Sequence, residues 1–272
     1  MNQPLKAFLT DNQGIIMDMN RFFNPSHLQL IEPLVKWKIL SLTFLNETSY
    51  LTREKNSNFY KTISKLESDG LLEGFIDPNS KEKYVYLTKM GIKTLGANQL
   101  TPVNDVNMYH DSFVSELGYL FSNFPFSKKV VIEHEILQSN PMIGHRPDAY
   151  LEGHHKNDFR MALEIELTAK SKERIRELFN YYQKTNFFNN ALFIFGHKGT
   201  FDTYVRTLEE MTSSFEKQKF LMMYSPNLYR RKYNIFQVNV YHDGKLTTLG
   251  KLFGINPMIV EQDGNEGGIH SN

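Results

Sequence analysis

The stretch from residue 144 to residue 174, GHRPDAYLEGHHKNDFRMALEIELTAKSKER, sets an aspartate behind a proline, two glutamates one residue apart, and then lysines. Glu164 and Glu166 sit in an otherwise apolar run, MALEIEL. On a strand, alternate side chains share a face, so these carboxylates would leave the sheet together, about 7 Å apart. On a buried face such a pair repels and resists desolvation unless a cation lies between its members. Between Asp148 and this run, Gly153, His154, His155, Asn157 and Asp158 read as a hairpin turn. Folding back there brings Asp148 beside the glutamates. Three carboxylates at one end of a sheet make a hard oxygen site, suited to Mg²⁺ or Mn²⁺ rather than zinc. Such an ion can polarise a phosphoryl oxygen, lower the pKa of a bound water and steady a leaving oxygen.

A lysine completes that chemistry by placing positive charge on the phosphate or orienting the attacking water. If the strand continues, Lys170 shares the face of Glu164 and Glu166. Ser171 would cap the next helix, whose first turn offers Lys172 and Arg174 to phosphate. The plainer alternative puts Glu164 and Glu166 on the open face of an edge strand, paired with Lys170, Lys172 and Arg174.

These residues need elements to hold them. Residues 1–24 read as an arm. From residue 26 to about 45, HLQLIEPLVKWKILSLTFL spaces its apolar residues as a mostly buried helix, with Pro33 marking its start or a break. In NSNFYKTISKLESDG, Phe59, Ile63 and Leu66 make one helical stripe, Asn56 or Ser57 can cap the start, and Asp69-Gly70 closes the end. A strand, a DPNSKEK turn, an alternating strand with Tyr84 and Tyr86, and a helix at LTKMGIKTL follow. That order is the pattern of a winged helix-turn-helix over residues 25–98. Its second helix would present Ser57, Asn58, Tyr60, Lys61 and Lys65 to DNA, with Lys81 and Lys83 in the wing turn. The alternative is a face of solvated lysines in a fold that also serves protein contacts.

Residues 99–104 read as a linker. Over residues 105–255, a helix with His110, Phe113, Leu117 and Leu120 on one face precedes strand candidates KKVVIEHEIL, RPDAYLEG, RMALEIELT, NNALFIFGH and FQVNVYH. SKERIRELFNYYQKT and GTFDTYVRTLEEMTSSF read as helices, giving an α/β (α+β) order with a mixed sheet. The tail, residues 256–272, reads as flexible.

The 272 residues are 40% hydrophobic, 22% charged and 13% aromatic, as expected of a soluble globular protein. A net charge of +1 neither demands nor excludes nucleic acid. The absence of cysteine removes disulfides, thiolate zinc sites and thiol nucleophiles, and agrees with a cytoplasmic protein. No run approaches the roughly 18 apolar residues of a membrane span.

A P-D pair, a hairpin and (D/E)-x-K form the signature of the PD-(D/E)xK nuclease fold, a restriction-endonuclease-like mixed sheet. RPDAYLEG with MALEIELTAKSKER resembles its version in MobC-type relaxases of mobilisable plasmids and, more distantly, in replication-relaxation proteins. Those families also begin with a winged helix, so the resemblance spans roughly residues 25 to 190. It implies metal binding by Asp148, Glu164 and Glu166. It also suggests roles for Lys170, for Glu133, His134 and Glu135 on the preceding strand, and for His110 and Glu116 on the helix before it. The lysine of the usual motif is Glu166 here.

The commoner relaxase chemistry needs two histidines facing one metal and a tyrosine nucleophile. His154 and His155 are adjacent and would point to opposite faces, and Tyr181 and Tyr182 read as one flank of an amphipathic helix against the core. The expectation is a metal-dependent endonuclease that nicks one strand at a plasmid transfer origin. Double-stranded DNA would be its partner, with an accessory mobilisation protein as a further one. A nuclease-like DNA-binding regulator of replication or transcription, and an endonuclease cutting both strands, are the alternatives.

Overall fold

The computed structural model describes residues 24–48, 57–139, 144–211 and 215–255. The expected arm before Asn24, a cap at Asn56 and the expected tail from residue 256 lie outside the described residues. The chain divides between Leu117 and Gly118 into two compact units.

In the first unit, proline and a left-handed turn break what the sequence suggests is one helix. Asn24 caps α1 (Pro25–Ile31) by accepting from the Ser26 N–H, and Pro33 starts α2 (Pro33–Trp37). Lys38 then takes a φ of 64°, which ends α2. Ile39–Ser41 is therefore strand β1, not helix, and α3 (Leu42–Thr48) follows. The expected second helix is α4 (Ser57–Ser68), with Phe59, Ile63 and Leu66 buried and Gly70 closing it at a φ of 74°. Strands β2 (Leu72–Ile76) and β3 (Lys83–Leu87) form the expected hairpin, and β1 joins β3 on its other side. Lys83 thus starts a strand instead of sitting in the turn. Thr88 caps α5 (Lys89–Thr94), and α6 (Met108–Ser122) runs from this unit into the next.

The second unit is built on a seven-stranded mixed sheet of order β10-β9-β8-β7-β6-β5-β4. Strand β4 (Ser127–Ile132) stops before the acidic EHE, which opens the short helix α7 (Glu133–Ser139) and so is not strand as expected. Glu135 stabilises that helix start, since its Oε2 accepts the Ile132 N–H at 3.1 Å. Strands β5 (Ala149–His155) and β6 (Asn157–Glu166) pair antiparallel as far as His155 opposite Asn157. The turn shrinks to Lys156, at a φ of 61°, so the histidines expected in a loop are strand residues. After α8 (Lys172–Lys184), β7 (Asn190–Phe195) lies parallel to β6. After α9 (Lys198–Glu209), β8 (Phe220–Tyr224) lies parallel to β7. Strands β9 (Asn239–His242) and β10 (Lys245–Thr248) complete the sheet, and α10 (Leu249–Leu252) follows.

Ile175, Phe179 and Tyr182 of α8, with Phe201, Tyr204 and Leu208 of α9, pack against Ala162, Phe193, Phe195 and Met222 of the sheet. Strand β6 is therefore interior and covered, not an edge strand. No helix of the described residues is long and apolar enough to cross a membrane.

Gly153 sits where the hairpin meets the segment before β4. A Cβ there would lie 2.5 Å from the Phe159 ring and 2.7 Å from the Phe126 carbonyl oxygen. The backbone oxygen cannot step aside as a side chain can. Gly153→Ala is expected to cost about 1–3 kcal/mol in chemical denaturation.

Candidate functional site

The site starts where β5 stops. Its last pair is Ala149 with Leu163, so continuing the register sets Asp148 opposite Glu164 and Pro147 opposite Ile165. Proline ends the ladder because it brings no N–H. The Asp148 side chain takes over: its Oδ2 accepts the Ile165 N–H at 2.7 Å. The Asp148 carbonyl accepts the Glu133 N–H at 3.0 Å. The P-D pair thus clips the aspartate to the glutamate strand.

Glu164 is 4% exposed. Its Oε1 lies 2.8 Å from Nε2 of His145 and also accepts the Tyr182 hydroxyl. Burial pushes its pKa up from the ordinary 4.5 to about 7; the contact with His145 opposes that rise and the negative charge of Asp148 adds to it. Tyr182 is held well above an ordinary phenol, by burial first and then by the charge of Glu164.

Glu166, 2% exposed, emerges two residues further along the same face. Lys170 Nζ lies 2.6 Å from its Oε1. The lysine gets there differently from the expectation: the strand ends at Glu166, and a bend brings Lys170 back. Burial, and then the nearby Glu166, raises the pKa of Tyr204 from α9. The Tyr229 hydroxyl donates to the Leu167 carbonyl at 3.3 Å, next to the end of the strand.

Among the described residues no group of three or more His, Asp or Glu side chains is arranged to hold a metal ion as it stands. The carboxylates are met by protein donors instead: the Ile165 amide, His145 with Tyr182, and Lys170. In donor chemistry Asp148, Glu164 and Glu166 fit a hard divalent cation, since all are oxygen ligands. The Oε2 of Glu164 takes no hydrogen bond among the described residues.

Glu133 is exposed at the first position of α7, and the carboxylate of Glu135 is the cap already described. His110 belongs to the first unit, 3.8 Å from Asp111 through Nδ1, while Glu116 there accepts the Tyr84 hydroxyl at 2.8 Å. Ser171 caps α8 through the Arg174 N–H, as expected. Lys172 pairs with Glu210 at 2.5 Å, and Arg174 is exposed. His154 is 2.6 Å from Asp158 at the hairpin tip, and His155 packs against Phe126. On α4, Asn58, Tyr60, Lys61 and Lys65 are exposed; Ser57 is the first residue of that helix. Lys81 is exposed in its turn, whereas Lys83 pairs with Glu67 at 2.7 Å.

Two residues of the site escape sequence reasoning. Tyr182 is a core residue of α8, as its spacing suggests, yet its hydroxyl ends on Glu164. His145 stands three residues before Asp148 with no motif of its own. The signal available was the need itself: a buried glutamate requires donors. No protein-family model, curated protein or solved structure matches the chain.

Proposed function

We propose that the chain is a metal-dependent DNA endonuclease that nicks one strand at a specific duplex site, as a relaxase does at a plasmid transfer origin. The observation that carries this reading is the clip between Asp148 and the β6 backbone, which sets an aspartate beside Glu164 on a buried sheet face. The order α6-β4-α7-β5-β6-α8-β7, three antiparallel strands followed by a parallel crossover, supports a restriction-endonuclease-like core. In the first unit, the sheet β1-β3-β2 and the exposed polar face of α4 support a winged helix that selects the sequence.

Asp148, Glu164 and Glu166 would hold the ion. Bound there, Mg²⁺ or Mn²⁺ supplies Lewis acidity toward a phosphoryl oxygen and a more acidic water. His145 and Tyr182 orient Glu164, and Lys170, one-third exposed, meets the scissile phosphate. A second reading draws on Glu166, which takes the motif's lysine position and is neutralised by Lys170: the chain then binds DNA without cutting it, as a regulator.

Supercoiled plasmid carrying the transfer origin, incubated with Mg²⁺ or Mn²⁺, separates these readings. Open circles are expected, and chelator should abolish them. Linear product would mean cleavage of both strands. Binding without any product under either metal would leave the regulator.

A further inference from the structure

The segment SPNLYRRKYN, residues 225–234, carries three cations and no acid. It follows β8 and is tied down at several points. The Ser225 N–H donates to the Phe195 carbonyl at 3.1 Å, at the end of β7, and Leu228 is fully buried. Tyr229 reaches Leu167, one residue beyond Glu166. Its ring lies 4.8 Å from that of His197 and so close to Gly196 that a Cβ there would come within 2.3 Å of it. A basic turn is thereby fixed at the strand ends from which Glu166 and Lys170 emerge.

Several cations in this part of the unit are already paired, Lys170 with Glu166, Lys172 and Arg176 with Glu210, and Lys198 with Asp202, while Arg146 and Arg174 are exposed and enter no ion pair among the described residues. Arg230 and Lys232 are exposed and enter no ion pair among the described residues. An isolated run of surface charge is usually just solvated, but this one is anchored by a buried leucine and a tyrosine beside a carboxylate site.

We infer that the turn Tyr229–Lys232 is a second DNA-binding element, in which Arg230 and Lys232 contact phosphates flanking the carboxylates and Tyr229 fixes their position. It rests on the reading above only in taking DNA as the partner, not on cleavage. Phosphate contacts release counterions, so removing two of them lowers the slope of log affinity against log salt by about 1.8.

The test uses the full chain, a labelled duplex bearing the transfer origin, chelator throughout, and fluorescence anisotropy between about 50 and 200 mM salt. For Arg230→Gln/Lys232→Gln the slope is expected to fall by that amount. The wild-type advantage in affinity then shrinks about 12-fold across the range. Lys245→Gln/Lys251→Gln, exposed lysines of the same unit, should keep the wild-type slope. Gly196→Ala, which displaces Tyr229 without changing charge, should weaken binding at a thermal melt that shows the variant folded. An unchanged slope in Arg230→Gln/Lys232→Gln, an equal loss in the lysine control, or no DNA binding by the wild type would overturn the inference. Failure to nick under any metal, with the slope change present, would remove the nuclease and leave this element standing.

Discussion

Asp148→Asn is expected to reduce plasmid nicking by about 10³-fold or more while leaving duplex affinity within about twofold of wild type. Asparagine keeps an oxygen that can accept the Ile165 N–H, so the clip and the register of β5 on β6 survive. The negative charge goes, and with it the anionic oxygen the proposed ion needs. Glu164→Ala should match that loss of nicking, but it leaves the Tyr182 hydroxyl and His145 without their common acceptor and so costs stability as well. Gel assays of supercoiled plasmid with Mg²⁺ and with Mn²⁺, beside anisotropy in chelator, measure both quantities. Full nicking by Asp148→Asn would remove Asp148 from the reaction.

Stability should respond to pH through Glu164. Its carboxyl binds a proton more tightly in the folded chain, at about 7, than an ordinary carboxyl at 4.5. Folding therefore takes up a proton between these values. This contribution is complete below pH 4.5 and is lost as pH rises through 7. Burial is the main cause, so the neutral Glu164→Gln escapes the penalty. In chelator the variant should gain about 3 kcal/mol on wild type between pH 4 and pH 8, read as the change in their difference in urea unfolding. A difference independent of pH would mean that Glu164 stays ionised in its pocket. The same burial means that a cation binding there below about pH 7 displaces a proton.

Much of the architecture could be read from residue order. The capped helix ending at Gly70, the β2–β3 hairpin, the β5–β6 pair and the two amphipathic helices announce themselves through period and punctuation. Short pieces set by pairing do not. Ile39–Ser41 looks helical until Lys38 turns left-handed, and β3 is what makes it a strand. FLMMY, buried almost throughout between two strands, has no alternation and so no signal. Glu133 and Glu135 follow a strand pattern smoothly, but the last strand pair falls at Ile132 and a helix begins.

The carboxylates were legible because acid in an apolar run is costly enough to need a reason. Their donors were not, because His145 and Tyr182 look ordinary in one dimension and meet Glu164 only after two connections have folded. Lys170 reaches Glu166 for a reason that strand alternation does not supply: the chain turns after Glu166, and the ion pair forms across the bend.

The carboxylate clasp on Ile165 also bears on how the molecule breathes. That amide is secured by a side chain beyond the end of the neighbouring ribbon, inside a sheet covered by aromatic rings. Its hydrogen should trade with deuterium only when the whole second unit opens, whereas a frayed strand end would trade quickly. In the proposed reaction such a centre would work as an anvil: what rearranges would be the nucleic acid and the solvent-facing lysine, since the buried acidic face itself has almost nowhere to go.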